Sequence, residues 1–240
     1  MYQDGHLVAI DKPAGLLVHC SGLDAGETRF AVQLLHAQLG RPVWPLHRLD
    51  KGTSGVLLFA LSRDVASAAR SLFDSEPAIT KTYRAVVRGW PAAGAGLIDH
   101  ALRRLDDDAR PTARALAVQP ARTAYRTLAR GAVPLPHGDF RETRIALLEL
   151  RPETGRRHQL RRHCKHIAHP IIGDATHGKG PLNRALASWL GLQRLWLHAL
   201  SLELTHPVTG AKLRLQAPPG PEWARWPWAA APGEPPACAG

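Results

Sequence analysis

Cysteine is scarce in this 240-residue chain, where Cys20, Cys164 and Cys238 are the complete set. An odd number of cysteines, spaced so widely, builds neither a disulfide framework nor a Cys-x-x-Cys metal knuckle. Long apolar runs are missing as well: no stretch approaches the roughly 18 consecutive apolar residues of a membrane helix. The N-terminus has Asp4 and then enters a β-like run directly, without the pattern of a secretory leader, so the expectation is a cytoplasmic protein with no membrane association. Acidic residues are the minority, with 20 Asp and Glu against 31 Lys and Arg and a formal charge of +11. Such a balance favours polyanionic partners through phosphate contacts and counterion release. The clustered carboxylates are Asp106, Asp107 and Asp108 alone, in a charge-rich connecting stretch, which argues against a metal-dependent nuclease. The sequence contains no internal repeat.

Short β-like runs dominate what remains: residues 7–10, 55–60, 83–87, 123–128, 143–150, 200–204 and 213–216. Helical spacing is confined to a few segments, with Val32, Leu35 and Leu39 on one stripe and Val65, Ala68, Ala69 and Leu72 on another. The mixture predicts an α+β fold with a mixed, largely antiparallel β-sheet and flanking helices. Residues 103–122 read as a charged, proline-containing connection, and 131–138, with Pro134 and Pro136, as a hairpin loop. One catalytic domain is expected over residues 1–216. Residues 217–240 hold seven of the 20 prolines and read as an irregular tail, pinned in part by Trp223, Trp226 and Trp228.

The run His47-Arg48-Leu49-Asp50-Lys51-Gly52-Thr53-Ser54-Gly55 sets one carboxylate beside two basic residues on a glycine-bearing turn that feeds an apolar strand. Loops carried on rigid strands are where chemistry usually sits. A turn-capping role, with Asp50 bonding nearby backbone amides, is the alternative from spacing alone. In residues 158–169 a helix would turn Leu160, His163, Cys164 and Ile167 inward and leave Arg157, Arg161 and Lys165 as a neighbouring basic row. His158, His163, Cys164, His166 and His169 offer many metal ligands, but helical geometry points His163 and His166 apart, and no metal is expected. Along 82–87, Tyr83, Ala85 and Val87 share one face, and Thr82, Arg84 and Val86 the other.

Four of these segments together resemble the RluA-type pseudouridine synthases. His47–Gly55 is similar to their HRLDxxTSG motif, Lys12-Pro13-Ala14-Gly15 to their Lys-Pro-x-Gly turn, Lys81-Thr82-Tyr83-Arg84-Ala85 to KxYxA, and Thr154–Arg161 to TGRxHQLR, continued by His169–Asp174. The resemblance covers nearly the whole chain to about residue 216 and implies the pseudouridine synthase fold and the isomerisation of uridine to pseudouridine in RNA. It makes Asp50 the catalytic aspartate, Arg161 its partner, and Tyr83 the residue that stacks on the target base and assists proton removal. It gives Arg48 the place vacated by the flipped base, and His47, Lys81, Arg156 and His158 contacts to RNA. No cofactor, metal or nucleotide is implied. The expected partner is RNA, the protein itself a monomer without a preceding RNA-binding module. Residues 173–180, Asn183-Arg184 and 191–195, with the doubled Arg161-Arg162, resemble the branch acting on uridine 65 of tRNA. An rRNA-modifying member of the family, or a non-catalytic RNA-binding protein on the same scaffold, are the alternatives.

Overall fold

The computed structural model describes residues 1–19, 26–74, 79–105 and 117–228. Asp106, Asp107 and Asp108, Cys20, Cys238 and the last part of the tail lie outside the described residues. The strands are β1 (Tyr2–Gln3), β2 (Leu7–Lys12), β3 (Trp44–Pro45), β4 (Ser54–Ala60), β5 (Thr80–Arg88), β6 (Ala95–Asp99), β7 (Leu102–Arg103), β8 (Val118–Gln119), β9 (Arg122–Val133), β10 (Thr143–Pro152), β11 (Leu197–Thr205) and β12 (Lys212–Gln216). The helices are α1 (Ala31–Leu39), α2 (Arg63–Asp74), α3 (Gln159–His166) and α4 (Gly180–Leu190), and a 3-10 turn follows at Pro221–Arg225.

A ten-stranded sheet runs β1-β2-β4-β11-β5-β10-β9-β6, with β3 added to β4 and β12 to β11, while β7 and β8 form a separate pair. Its pairings are antiparallel except that of β4 with β11. The mixed, largely antiparallel α+β architecture is thus the one expected from the pattern of short strands.

Alternation along the strands explains why both faces are covered. In β4 every residue is buried: Val56, Leu58 and Ala60 point into one cluster with Val65 of α2, and Leu57 and Phe59 into another with Ala31 and Leu35 of α1. In β5, Ala85 and Val87 meet Leu160 and Cys164 of α3, and Val86 meets Leu182, Leu186 and Leu190 of α4. Helices α1 and α3 therefore cover one face, and α2 and α4 the other. Strands buried on both sides read as continuous apolar runs, which is why residues 55–60 were legible.

The structure departs from the sequence reading at several edges. Residues 131–133 belong to β9, so the hairpin loop begins only after Val133. β6 and α4 were not anticipated: β6 is a largely exposed edge strand with little alternation. In the described part of the tail, Trp223 and Trp226 are buried against Trp196 in the α4 cluster, and the one regular element is the 3-10 turn Pro221–Arg225. Trp228 packs partly against the same cluster, and residues 217–228 thus share the core of the sheet.

Gly55 marks the parallel junction of β4 and β11, where its φ is +109° and a Cβ would fall 2.2 Å from the carbonyl oxygen of Ala199. Only glycine tolerates that backbone and that approach together. Gly55→Ala is expected to cost at least about 2 kcal/mol of stability, read as a lower urea midpoint with unchanged m-value.

Candidate active site

Asp50 sits in the loop between β3 and β4, closed by a hydrogen bond from the Thr53 amide to the Asp50 carbonyl at 3.0 Å. The loop is tied to the N-terminal Lys-Pro-x-Gly turn through the Lys51 carbonyl. That oxygen accepts from the Gly15 amide at 2.8 Å and from Lys12 Nζ at 3.3 Å. The Lys12 ammonium also donates to the carbonyls of Pro13 at 2.8 Å and Leu16 at 2.7 Å. It is fully buried. Burial pulls its pKa down to about 8, against the opposing pull of the nearby Asp50 charge.

Arg161 reaches the loop from the first turn of α3. Its Nη1 donates to Asp50 Oδ2 at 2.9 Å, so the expected pairing is present. The opposite edge of the same guanidinium is forked onto a second carboxylate: Nε donates to Asp174 Oδ2 at 2.7 Å and Nη2 to Asp174 Oδ1 at 2.8 Å. Arg161 is thus no member of a solvated basic row. Burial opposes its charge, but the hydrogen bonds and charges of Asp174 and Asp50 outweigh it and raise its pKa. Asp174 is almost wholly buried. Burial acts to raise its pKa, and the Arg161 hydrogen bonds together with the backbone N–H groups of His177 and Thr176 overcome this and hold it below the ordinary 3.8.

Asp174 follows Gly173, whose φ is +78° and whose Cβ would lie 1.8 Å from the Arg194 carbonyl oxygen. The turn is tied to α4 by Asn183, which accepts from the Gly173 amide at 3.0 Å and donates to the Asp174 carbonyl at 2.9 Å. Much of the stretch that resembles the tRNA branch therefore builds the support of Arg161.

His158 enters α3 in the left-handed region at φ 54°, uncommon outside glycine. That backbone brings its Nε2 to 3.9 Å from Asp50 Oδ1, beyond hydrogen-bonding distance, while Nδ1 meets His177 Nε2 at 3.2 Å. Burial lowers the pKa of both rings. Gln159 knits the segment together, taking hydrogen bonds from Thr154 Oγ1 at 2.7 Å and the Arg156 amide at 3.0 Å and donating to the Arg122 carbonyl at 2.9 Å.

Tyr83 lines the same cleft as Asp50 and packs against the clusters of both α1 and α3. Burial, and then the Asp50 charge, push its pKa above the ordinary 10. The ring is therefore a neutral phenol, able to stack and to hydrogen-bond but not a standing phenolate. Asp50, Tyr83, Arg161, His158, Arg48 and Lys81 all line one open cleft of about 2,790 Å³. A small-molecule pocket holds about 300–1,000 Å³, so this cleft is larger than a single small ligand needs. Arg63, Arg70, Arg103, Arg104 and Arg157 stand along its walls.

Two expected RNA contacts are engaged within the fold. His47 Nε2 accepts from the Leu58 amide at 3.2 Å and its ring stacks on Phe73. Burial takes its pKa down to about 3, which suits a neutral acceptor bracing β4 better than a phosphate contact. Arg156 also lines the cleft, but its Nε donates to the Pro120 carbonyl at 3.0 Å. The histidines near α3 turn to separate partners: His163 to Thr123 and the His100 carbonyl, His169 to the Arg88 carbonyl. Among the described residues no three His, Cys, Asp or Glu side chains converge as a metal would need. Lys12 and Asp174 lie within the motifs but have no role in the sequence reading; a lysine closing an apolar strand before Pro-x-Gly, and an aspartate directly after a glycine, are the signals the chain carries for them.

Asp174→Asn is expected to destabilise the protein by about 3–5 kcal/mol, because Arg161 then stays buried with half its compensation gone. A depressed carboxylate contributes stability above its unfolded pKa and loses it as pH falls through the folded value. The gap between variant and wild type, followed by urea unfolding, is therefore constant at neutral pH and narrows only below about 3.8.

Residues 6–166 match the family model described as RNA pseudouridylate synthase. The chain is 50% identical over 232 residues to tRNA pseudouridine synthase C of Yersinia pestis, covering 95% of this chain and 87% of that one. It is 48% identical over 219 residues to tRNA pseudouridine synthase C of Vibrio cholerae, over 90% and 89% of the two chains. Among solved structures, human RNA pseudouridylate synthase domain containing 1 aligns with TM-score 0.72 and 25% identity over 95% of this chain and 87% of its own. Human RNA pseudouridylate synthase domain containing 4 aligns with TM-score 0.68 and 29% identity over 93% and 89%. Sequence match, shared fold and the full set of motifs thus agree, and the chain belongs to the RNA pseudouridylate synthase family.

Proposed function

We propose that this protein isomerises uridine to pseudouridine in tRNA, with Asp50 as the reacting carboxylate. The observation that carries the reading is the Asp50–Arg161 pair at 2.9 Å on the floor of a cleft walled by arginines. The relatives named tRNA pseudouridine synthase C supply the RNA class. Uridine 65, in the acceptor–T-arm region, is the proposed position, from the likeness of residues 173–195 to that branch.

The reaction breaks the N1–C1′ bond of uridine, turns the freed base and joins its C5 to C1′. C5 then loses its proton and N1 takes one up, so composition is unchanged and nothing is oxidised. Addition of Asp50 to the base, its attack at the sugar and proton abstraction from the sugar all begin from an ionised carboxylate. Arg161 occupies Oδ2, while Oδ1 lies 3.9 Å from His158 Nε2 in a residue that lines the cleft. In a site closed over a bound base, that arrangement holds the carboxylate charged and aimed. Tyr83 supplies a flat ring against the base and a neutral hydroxyl to pass the C5 proton. The target must first leave its stack, at a cost of a few kcal/mol. Arg48, exposed at the cleft, has the planar guanidinium that can fill the vacated space and touch phosphate.

Asp50→Asn is expected to keep fold and tRNA affinity and to abolish release of tritium from C5-labelled uridine in tRNA, assayed with no metal or nucleotide added. Near-wild-type release would remove Asp50 from the chemistry. Tyr83→Phe should lower turnover far more than binding, and equal losses would make Tyr83 structural. Mapping pseudouridines in total RNA with and without the protein decides the target: loss at a tRNA acceptor–T-arm uridine supports the reading, and loss confined to rRNA refutes the tRNA assignment while leaving the chemistry intact.

A further inference from the structure

The C-terminal turn forms part of the cleft wall, with Gly220 and Glu222 lining it beside Arg194. The Arg194 guanidinium pairs through Nη1 with Glu222 and donates from Nη2 to Ser54 Oγ at 2.7 Å. It lies over the Trp196 and Trp223 rings, 5.2 and 5.6 Å from their centroids. Its side chain is 9% exposed, so little of the charge is left for solvent.

The network continues in one direction. Ser54 Oγ is 2.9 Å from His198 Nδ1, and His198 Nε2 is 2.8 Å from the Ala217 carbonyl. A ring nitrogen facing a carbonyl must donate, so Nε2 carries the hydrogen and Nδ1 accepts from the Ser54 hydroxyl. The Ser54 oxygen is then free to accept from Arg194. Ser54 opens β4, beside Thr53, whose amide closes the Asp50 turn, and it pairs with His198 across the parallel junction. The same chain of bonds thus joins the C-terminal turn to the loop that presents Asp50.

We propose that Arg194 is a positioning residue for Asp50, and that Glu222 on the C-terminal turn holds it in place. The proposal rests on the reading of Asp50 as the reacting carboxylate. A cation clamped between two indole rings, a carboxylate and a hydroxyl is poorly placed to bind phosphate, although it borders a cleft meant for RNA. Its reach to Ser54 instead fixes where the loop ends and the strand begins. A misplacement of about 1 Å at a reacting group can cost about a hundredfold in rate.

The test uses the full-length chain with Glu222→Gln, Ser54→Ala and the double variant, and Asp50→Asn alongside. Glu222 is 22% exposed, so Gln is the mild change, and near-UV circular dichroism reports the folded fraction to which rates are normalised. Each single variant should lower kcat for pseudouridine formation in tRNA by about tenfold to a hundredfold, with KM and tRNA affinity within about twofold. The double variant should be no slower than the worse single one, because both act through Arg194. Wild-type kcat in both single variants, with Asp50→Asn inactive, overturns this inference alone. A rise in KM or loss of affinity at unchanged kcat overturns it in favour of direct RNA contact, as additive losses overturn the shared route. Activity in Asp50→Asn overturns the reading of Asp50 and this inference with it.

Discussion

One guanidinium shared between two carboxylates organises this molecule. Arg161 forks onto Asp174, which lies 13 residues away, and reaches with its remaining nitrogen to Asp50, 111 residues away. The buried partner sets the plane of the guanidinium, and that plane sets where Asp50 is held. Because Asp174 is buried and Asp50 half-exposed, the two contacts differ in kind: the first anchors the cation and the second presents an oxygen to the cleft. The Asp50–Arg161–Asp174 group by itself carries one net negative charge within a chain whose formal charge is +11. Arg63, Arg70, Arg103, Arg104 and Arg157 line the same cleft as Asp50, so the carboxylate lies within a positively charged surround.

The loop that carries Asp50 is met by three cations from different parts of the chain. Lys12 holds the Lys51 carbonyl from the N-terminal turn, Arg161 holds the carboxylate from α3, and Arg194 holds Ser54 from the segment before β11. Each cation is itself spoken for by carbonyls or a carboxylate, so none is left as an isolated buried charge. The second half of the loop is thereby held at Asp50, at Lys51 and where β4 begins at Ser54.

Legibility in the sequence followed physical signal strength. β4, β5 and β10 were readable because burial on alternating faces leaves an apolar pattern in the chain itself. β6 was invisible because an exposed edge strand needs no such pattern. α4 was invisible because Gly180-Pro181 at its start and Gly191 at its end look like loop chemistry, while its buried stripe is only Leu182, Leu186 and Leu190. The tryptophans of the proline-rich tail mark it as anchored, but that they pack on Trp196 and the Leu182, Leu186 and Leu190 stripe of α4 is not written in any local pattern. His47 stands in the strongest motif and lines the cleft, and its Nε2 also accepts from the backbone amide of Leu58 in β4, which spacing does not reveal.

The sequence by itself determined the main strand periods, the four motifs and their order, and hence the family, with Asp50, Tyr83 and Arg161 each inside a motif. Those features are local, written in side-chain alternation and in short runs whose chemistry is legible wherever they fold. The tertiary structure alone decided that Arg161 serves two carboxylates, that Lys12 and Arg194 brace the same loop, and that the C-terminal turn lines the cleft. Each of these joins residues distant in the chain, some of them across the parallel β4–β11 junction, and a hydrogen bond depends on where atoms meet in space and not on how many residues separate them.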